Sequence, residues 1–415
     1  MSQRLYYHDS FLYSFDAAVT EVAGLDDGRV GVVLDGTAFY PTSGGQPFDT
    51  GTLRVDGGEL RVIDVIDREE NDTIVHVIEA ADAQALRPGM QVHGEVDAQR
   101  RRDHMQQHSG QHVLSAAFVR LFEMPTVSFH LGEESCTIDL TASELSEQQV
   151  ESAEALANDV VTEDRPVEIR YASPQEAQRM GLRKLPPRSG TIRLIDIRDF
   201  DLTACGGTHV RTTGQIGPIL LRKVENVRQG VRVEFICGAR AVRASRRDYE
   251  TLTQAAQVFS THIHELPSQA RKSADELKNA SKMQQRLLEQ LAEYEARDLV
   301  ANAPEVGVVR IVERVFGDRD ASYAKLVAQE VVSSARAVAL VGTTAGQPTI
   351  VLAASPGIEI NCGALLKQAL AEVGGRGGGS REMAQGGVAD RAKLGVVMRR
   401  IHDVLQAWPN QPQFR

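Results

Sequence analysis

Residues 98–122 read AQRRRDHMQQHSGQHVLSAAFVRLF, and the parsing of the whole chain turns on this stretch. Val113, Leu114, Ala117 and Leu121 recur at helical spacing, which predicts a helix starting near residue 98. On its N-terminal side the pattern is different. Valine and isoleucine cluster in RVGVVL (29–34), LRVIDVI (60–66) and DTIVHVIE (72–79), separated by the turn signals DDG, LDG and VDGG. Short strands broken by frequent turns predict a small β-barrel over residues 1–95. On the C-terminal side, TVSFHLG (126–132), CTIDL (136–140) and TIRLIDI (191–197) predict strands, residues 146–161 a second helix, and CGGTHV (205–210) a tight turn. These make up an α/β core over 96–248.

Beyond that core the periodicity changes again. Leu277, Ala280, Gln284, Leu287, Leu291 and Tyr294 follow alternating steps of three and four, the spacing of a coiled-coil seam, so 249–299 is predicted as a helical, coiled-coil-like linker. From 300 to 415, VGVVRIV, AVALVG and TIVLAAS alternate with helical stretches and predict a small C-terminal α/β domain, interrupted by the glycine-rich segment GGRGGGSREMAQGGV (374–388). The expected fold class is α+β and multidomain.

Composition is that of an ordinary globular protein, with 42% hydrophobic and 25% charged residues. No apolar run reaches the roughly 20 residues of a membrane helix, and MSQRLYYHDSF lacks the apolar core of a secretory signal, so a cytoplasmic protein without a membrane partner is expected. The four cysteines show no disulfide-framework spacing. A net charge of −10 argues against indiscriminate nucleic-acid binding. Charge is nonetheless uneven: residues 211–250 hold nine basic side chains against four acidic ones. That local excess suits either phosphate contacts or a solvated helix face.

His104, His108 and His112 stand four apart. On a helix, i and i+4 side chains share a face about 6 Å apart, so two of them reach one zinc at about 2.0–2.1 Å while a third, two turns along, does not. The pair is therefore 104/108 or 108/112. Cys205 and His209 in CGGTH form the second pair, because the glycines let the chain fold back and bring thiolate and imidazole together. The two pairs make an N₃S set for one tetrahedral zinc per chain.

HSGQHVLSAAF (108–118) and TACGGTHV (203–210) resemble the paired zinc motifs of the alanyl-tRNA synthetase editing domain and of its free-standing relatives, the AlaX proteins. GTAFYPTSGGQPFDTGTL (36–53) is similar to the family's early Thr-x-Phe-Tyr segment, and VGGRGGGSREMAQGG (373–387) to the glycine-rich signature of the DHHA1-type domain that ends those synthetases. The motifs occur in family order over nearly the whole chain, and the long AlaX form is the nearest match. The resemblance selects His108, His112, Cys205 and His209 as metal ligands and leaves His104 outside. Gly44-Gly45-Gln46 also matches the peptidyl-tRNA-hydrolysing tripeptide of release factors, but its flanks fit the editing family. Asp103-His104-Met105 falls one residue short of the Asp-His-His of phosphoesterases.

The resemblance implies a trans-editing hydrolase, an aminoacyl-tRNA deacylase acting on Ser-tRNA(Ala) and Gly-tRNA(Ala). A pocket that spares alanine and takes serine must bond the extra hydroxyl, since size cannot exclude the smaller residue. Thr37 is the expected hydroxyl partner, and Gln46 is expected to position substrate or water. Arg222, Lys223, Arg228 and Arg232, with Gly375, Arg376, Gly377 and Gly378, are the expected tRNA contacts. Because the sequence opens at the barrel, no aminoacylating module and no ATP requirement are expected. Homodimerisation through the C-terminal domain is a further expectation. The alternative reading is a noncatalytic zinc-containing module for tRNA binding or dimerisation.

Overall fold

The computed structural model describes residues 2–25, 28–55, 58–68, 72–79, 86–180, 182, 190–228 and 230–408. The chain divides into two compact units, Met1–Gln254 and Ala255–Arg415.

The first unit opens with the expected barrel. Six strands, Ser14–Gly24, Val30–Leu34, Thr73–Ile78, Gly58–Arg68, Gly51–Val55 and Gln91–Val96, close on one another in that order, every neighbour antiparallel. Alternation decides what points inward: in the first strand Phe15, Ala17 and Val19 are buried, and their exposed neighbours face water. Phe39 fills the interior beside Leu53, Val62 and Ile74. Its complete burial contributes about 2–3 kcal/mol.

A polar pair lies within the barrel segment. Thr37 donates its hydroxyl to His76 Nε2 at 2.7 Å, and His76 Nδ1 faces Val32 O at 3.0 Å. Burial pushes the His76 pKa down to about 4, and the Val32 carbonyl only partly opposes it. The ring is neutral when folded but takes a proton below about pH 6.5 when unfolded. Stability contributed by this residue is therefore whole above that pH and drains away as pH falls toward 4, by at most about 1.4 kcal/mol per pH unit. The urea midpoint of His76→Gln is expected to fall less steeply than the wild type between pH 6.5 and 4; parallel slopes would contradict this.

After the barrel, Asp97 caps helix α1 (Ala98–Phe122) by accepting from the amides of Gln99 and Arg100, and Glu123 ends it in the left-handed region at φ 56°. From Gln107 to Phe118 every side is buried, so α1 is an interior helix and not a surface amphipath. It is enclosed by α2 (Glu147–Thr162), by a four-stranded antiparallel sheet and by a three-stranded one. The first sheet runs Ile219–Val227, Gly230–Cys237, Cys136–Leu140, Thr126–Leu131; the second runs Val167–Ala172, Ile192–Ile197, Asp201–Ala204. The Gln107 amide completes the fit by bonding Cys237 as a strand neighbour does, donating to its carbonyl at 3.0 Å and accepting from its amide at 2.8 Å. Short α3 (Pro174–Arg179) and long α4 (Gly238–Val258) follow in the chain.

In the second unit a six-stranded sheet runs Glu305–Val306, Val309–Phe316, Ala337–Thr343, Thr349–Ala354, Met383–Gly387, Arg376–Gly379. Helices α5 (Leu266–Ala301) and α6 (Ala321–Ser334) cover one face, and α7 (Cys362–Ala371) and α8 (Arg391–Ala407) the other. Two-sided cover explains the unbroken apolar runs AVALVG and TIVLAA: Ala337, Ala339 and Val341 meet α5 and α6, while Val338 and Leu340 meet α7 and α8. The glycine-rich segment is a β-hairpin at the sheet edge, with Gly377 opposite Gly386.

The coiled-coil seam read from the sequence needs correcting. Leu277, Leu287, Leu291 and Tyr294 are exposed on α5, and the residues that pack are Ala292 and Ala296. Small side chains admit the close approach of α6, and that contact sets which face turns inward. No helix among the described residues is long and apolar enough to cross a membrane.

Candidate metal centre

Helix α1 carries His108 and His112 on one face, and the turn after Asp201–Ala204 delivers Cys205 and His209 to the same point. His108 Nε2 lies 3.4 Å from Cys205 Sγ, and His209 Nε2 lies 3.3 Å from it. One ligand atom from each of the four residues falls within 4.8 Å of all the others. A tetrahedral ion about 2.3 Å from sulfur and about 2.05 Å from nitrogen demands S···N edges of about 3.5 Å. The residues present fit such an ion. His104, one turn back along α1, takes no part in the group.

Each imidazole is aimed by a partner on its outer nitrogen. His108 Nδ1 bonds Gln46 Oε1 at 2.8 Å, and His209 Nδ1 bonds Ser109 Oγ at 3.1 Å. His112 Nδ1 sits 3.5 Å from Asp201 Oδ2, an electrostatic contact too long for a directed hydrogen bond. Gln46 is itself clamped, donating to Thr208 Oγ1 at 2.8 Å and accepting from the Thr208 amide at 3.1 Å. Gly44 and Gly45, at φ 56° and 85°, form the turn that carries Gln46 inward. Buried Arg193 braces the second turn, donating from Nη1 to Cys205 O at 2.7 Å and Gly207 O at 3.0 Å.

Electrostatics favour a thiolate. Burial alone would raise the Cys205 pKa, but the imidazoles of His108 and His209 beside the sulfur bring it well below the usual thiol value. Burial pushes His209 down to about 3, leaving a neutral nitrogen donor. For His112 burial works in the same direction, yet the Asp201 carboxylate and the Cys205 sulfur outweigh it and raise the pKa.

Gly207 shows how closely the turn is fitted. A Cβ there would stand 2.1 Å from His108 Cε1 and 2.4 Å from its Nδ1. Gly207→Ala is expected to displace the ring from Gln46 and weaken metal binding at least about tenfold, measured by competition with a chromogenic chelator. Wild-type affinity would contradict the assignment.

The remaining sequence-predicted residues lie elsewhere. Thr37 is fully buried in the pair with His76. Arg222 pairs with Asp248, Lys223 with Glu225 at 2.5 Å, and Arg232 with Asp139 at 2.7 Å. Arg228 follows the strand Ile219–Val227. Gly375, Arg376, Gly377 and Gly378 belong to the second unit, where a Cβ at Gly377 would strike Gly386 Cα at 2.5 Å while one at Gly378 would meet open space. Sequence reading missed Ser109, Thr208, Asp201 and Arg193. Ser109 stands inside the HSGQH motif and Thr208 inside CGGTH, so both were open to notice; Asp201 and Arg193 carry no local signal.

Comparison with known proteins bears on this arrangement. A family model described as tRNA synthetases class II (A) matches residues 6–100, and one described as the threonyl and alanyl tRNA synthetase second additional domain matches residues 192–233, which includes the CGGTH turn. The class is thus that of tRNA-synthetase-related proteins. Alanine–tRNA ligases of Pyrococcus abyssi and Pyrococcus furiosus are each 34% identical, over 97% and 96% of this chain and 44% and 43% of theirs. That of Halobacterium salinarum is 35% identical over 97% of this chain and 44% of its own. The chain is thus similar to alanyl-tRNA synthetases, and AlaX-like, in the region it covers. It spans less than half the length of the curated relatives it matches. The C-Ala domain of Aquifex aeolicus alanyl-tRNA synthetase aligns over 25% of this chain and 98% of that one at 19% identity and a TM-score of 0.24.

Proposed function

We propose that this protein is a zinc-dependent trans-editing hydrolase that deacylates Ser-tRNA(Ala), and Gly-tRNA(Ala) as well. The observation that carries the reading is the convergence of His108, His112, Cys205 and His209, from segments about a hundred residues apart, in a chain related to alanyl-tRNA synthetases. An N₃S donor set at these spacings suits zinc best. His108, His112, Cys205 and His209 would hold the zinc, which would order the pocket built around them.

The protein's own residues do the positioning. Gln46 keeps His108 turned inward and ties the barrel segment to the Thr208 turn, so it acts as a positioning residue. Ser109 and Asp201 do the same for His209 and His112. Thr37 serves as hydroxyl selector by exchanging its bond to His76 for one to the serine hydroxyl, a partner that alanine cannot replace. The tRNA body is held by basic and glycine-rich surfaces, Arg228 and Arg376 to Gly378 among them.

The test is deacylation of Ser-, Gly- and Ala-charged tRNA for alanine by metal-loaded protein, with a second tRNA species as control. Serine release at least tenfold faster than alanine release supports the reading. No release of any ester, alongside retained tRNA binding, replaces it with the noncatalytic module.

A further inference from the structure

The outer face of the barrel carries a serine, a histidine and an aspartate that the metal centre does not use. In the strand Ser14–Gly24, Phe15 and Ala17 point into the core, so Ser14 and Asp16 share the outward face two residues apart. On the antiparallel neighbour Gln91–Val96, His93 stands opposite Asp16, and Glu95 stands opposite Ser14. One face of both strands is buried, so a slip of register would turn core residues to water, and the three backbones are fixed.

His93 Nδ1 lies 2.7 Å from Asp16 Oδ1, and its Nε2 lies 3.0 Å from Ser14 Oγ. An ionised carboxylate only accepts, so Nδ1 carries the proton and the neutral ring turns a bare Nε2 to the serine. Ser14 then donates its O–H to that nitrogen. The three groups stand in the order of a hydroxyl nucleophile, its base and the carboxylate that orients the base, a constellation defined by geometry and not by fold.

The surroundings select the reagent. Ser14 is exposed, and the side chains of His93 and Asp16 are 40% and 83% exposed, so the nucleophile is open to solution. The carboxylate opposite Ser14 is offset: on the next strand Arg54 stands opposite His93 and bonds Glu95 at 2.7 Å, while also holding Glu59 at 3.0 Å. Stabilisation of a developing oxyanion is strongest where water is shut out. An open site therefore suits esters with good leaving groups and not amides.

We propose that Ser14, His93 and Asp16 form a second nucleophilic site, sharing no residue with the metal centre, that takes acyl groups from small activated esters. Ser14 Oγ bonds the carbonyl carbon as its proton passes to His93 Nε2. The bond from that carbon to the leaving oxygen breaks, and the leaving group takes the proton from the imidazolium and departs as an alcohol. Water then adds to the acyl carbon and gives one proton to Nε2. The Ser14 oxygen recovers that proton as the carboxylic acid leaves. Nothing is oxidised; ester and water become acid and alcohol.

The test is labelling of the full-length protein with a fluorophosphonate probe, located by peptide mass spectrometry, with p-nitrophenyl acetate turnover read in parallel. Ser128 is the internal control: it is exposed, and its hydroxyl donates to the Asp139 carboxylate at 2.7 Å and not to an imidazole. Ser14 is expected to label at least about tenfold faster than Ser128, and His93→Gln to slow Ser14 labelling by about the same factor, the lower part of what a positioned base supplies. Asp16→Asn should slow it less. Ser14→Ala should lower p-nitrophenyl acetate turnover and leave deacylation of Ser-tRNA(Ala) unchanged, since its hydroxyl takes no part in the metal centre. Equal labelling of Ser14 and Ser128, or a Ser14 rate unchanged in His93→Gln, overturns the nucleophile. Unchanged p-nitrophenyl acetate turnover in Ser14→Ala overturns the hydrolytic step, and a loss of tRNA deacylation there overturns the separateness of the two sites.

Discussion

Replacing Cys205 by alanine is expected to cost the protein its metal, with affinity falling by roughly two to three orders of magnitude. Structural zinc sites gain about 10–16 kcal/mol in total, so one ligand in four accounts for about 3–4 kcal/mol. The loss here should reach the upper end of that range. Cys205 is the anionic member of the quartet, and both the His108 and His209 nitrogens are oriented on its sulfur. Removing it leaves three imidazoles facing one another with no charge to offset the ion. Equilibrium dialysis against a chelator series reads the shift, and deacylation of Ser-tRNA(Ala) should disappear with the metal. Full metal occupancy in Cys205→Ala would remove the sulfur from the site altogether.

The second large effect concerns stability. Arg101 and Asp49 are both completely buried. Arg101 Nε reaches both Asp49 oxygens at 3.1 and 3.0 Å, its Nη1 donates to Ser10 O at 2.8 Å, and its Nη2 donates to Ala38 O at 2.5 Å and to the same carboxylate. Asp49 Oδ2 also accepts the Tyr40 amide at 2.7 Å. Nε and both terminal nitrogens of the guanidinium are bonded, and the pair joins α1 to the segment that carries Gln46. Arg101→Met strands a desolvated carboxylate and is expected to lower unfolding stability by about 3–5 kcal/mol. Arg101→Met/Asp49→Leu should cost less than the sum of the two single changes, because it removes both charges together. Urea unfolding of the four proteins gives the coupling directly. A single-variant loss below about 1 kcal/mol would show that the pair is not desolvated as the structure has it. His108 lies about two turns from Arg101, so metal affinity should weaken in the same variant.

The contrast between these two residues shows where sequence reasoning succeeds. Cys205 announces itself, because CGGTH is a short ligand pair with a glycine turn and needs only another pair to meet it. Arg101 is the middle of an Arg-Arg-Arg run and has the look of a solvated surface. Arg102 does face outward and Arg100 lies half-buried against Phe48, but the middle one is fully buried.

What the sequence by itself determined is whatever repeats within a turn of helix or two residues of strand. The barrel's short strands, the helix with histidines four apart, the Cys205/His209 pair on its glycine turn and the apolar strands of the second unit follow from local period and residue chemistry, while the choice of His112 over His104 came from the family resemblance. Tertiary structure alone decided the rest: Gln46 reaching across 62 positions to aim His108, Asp201 standing behind His112, alanines 292 and 296 turning inward in place of the leucine seam, and acidic partners occupying Arg222, Lys223 and Arg232. Each depends on which polar group loses its water when distant segments meet. That desolvation is a property of the assembled neighbours, and no window of sequence contains it.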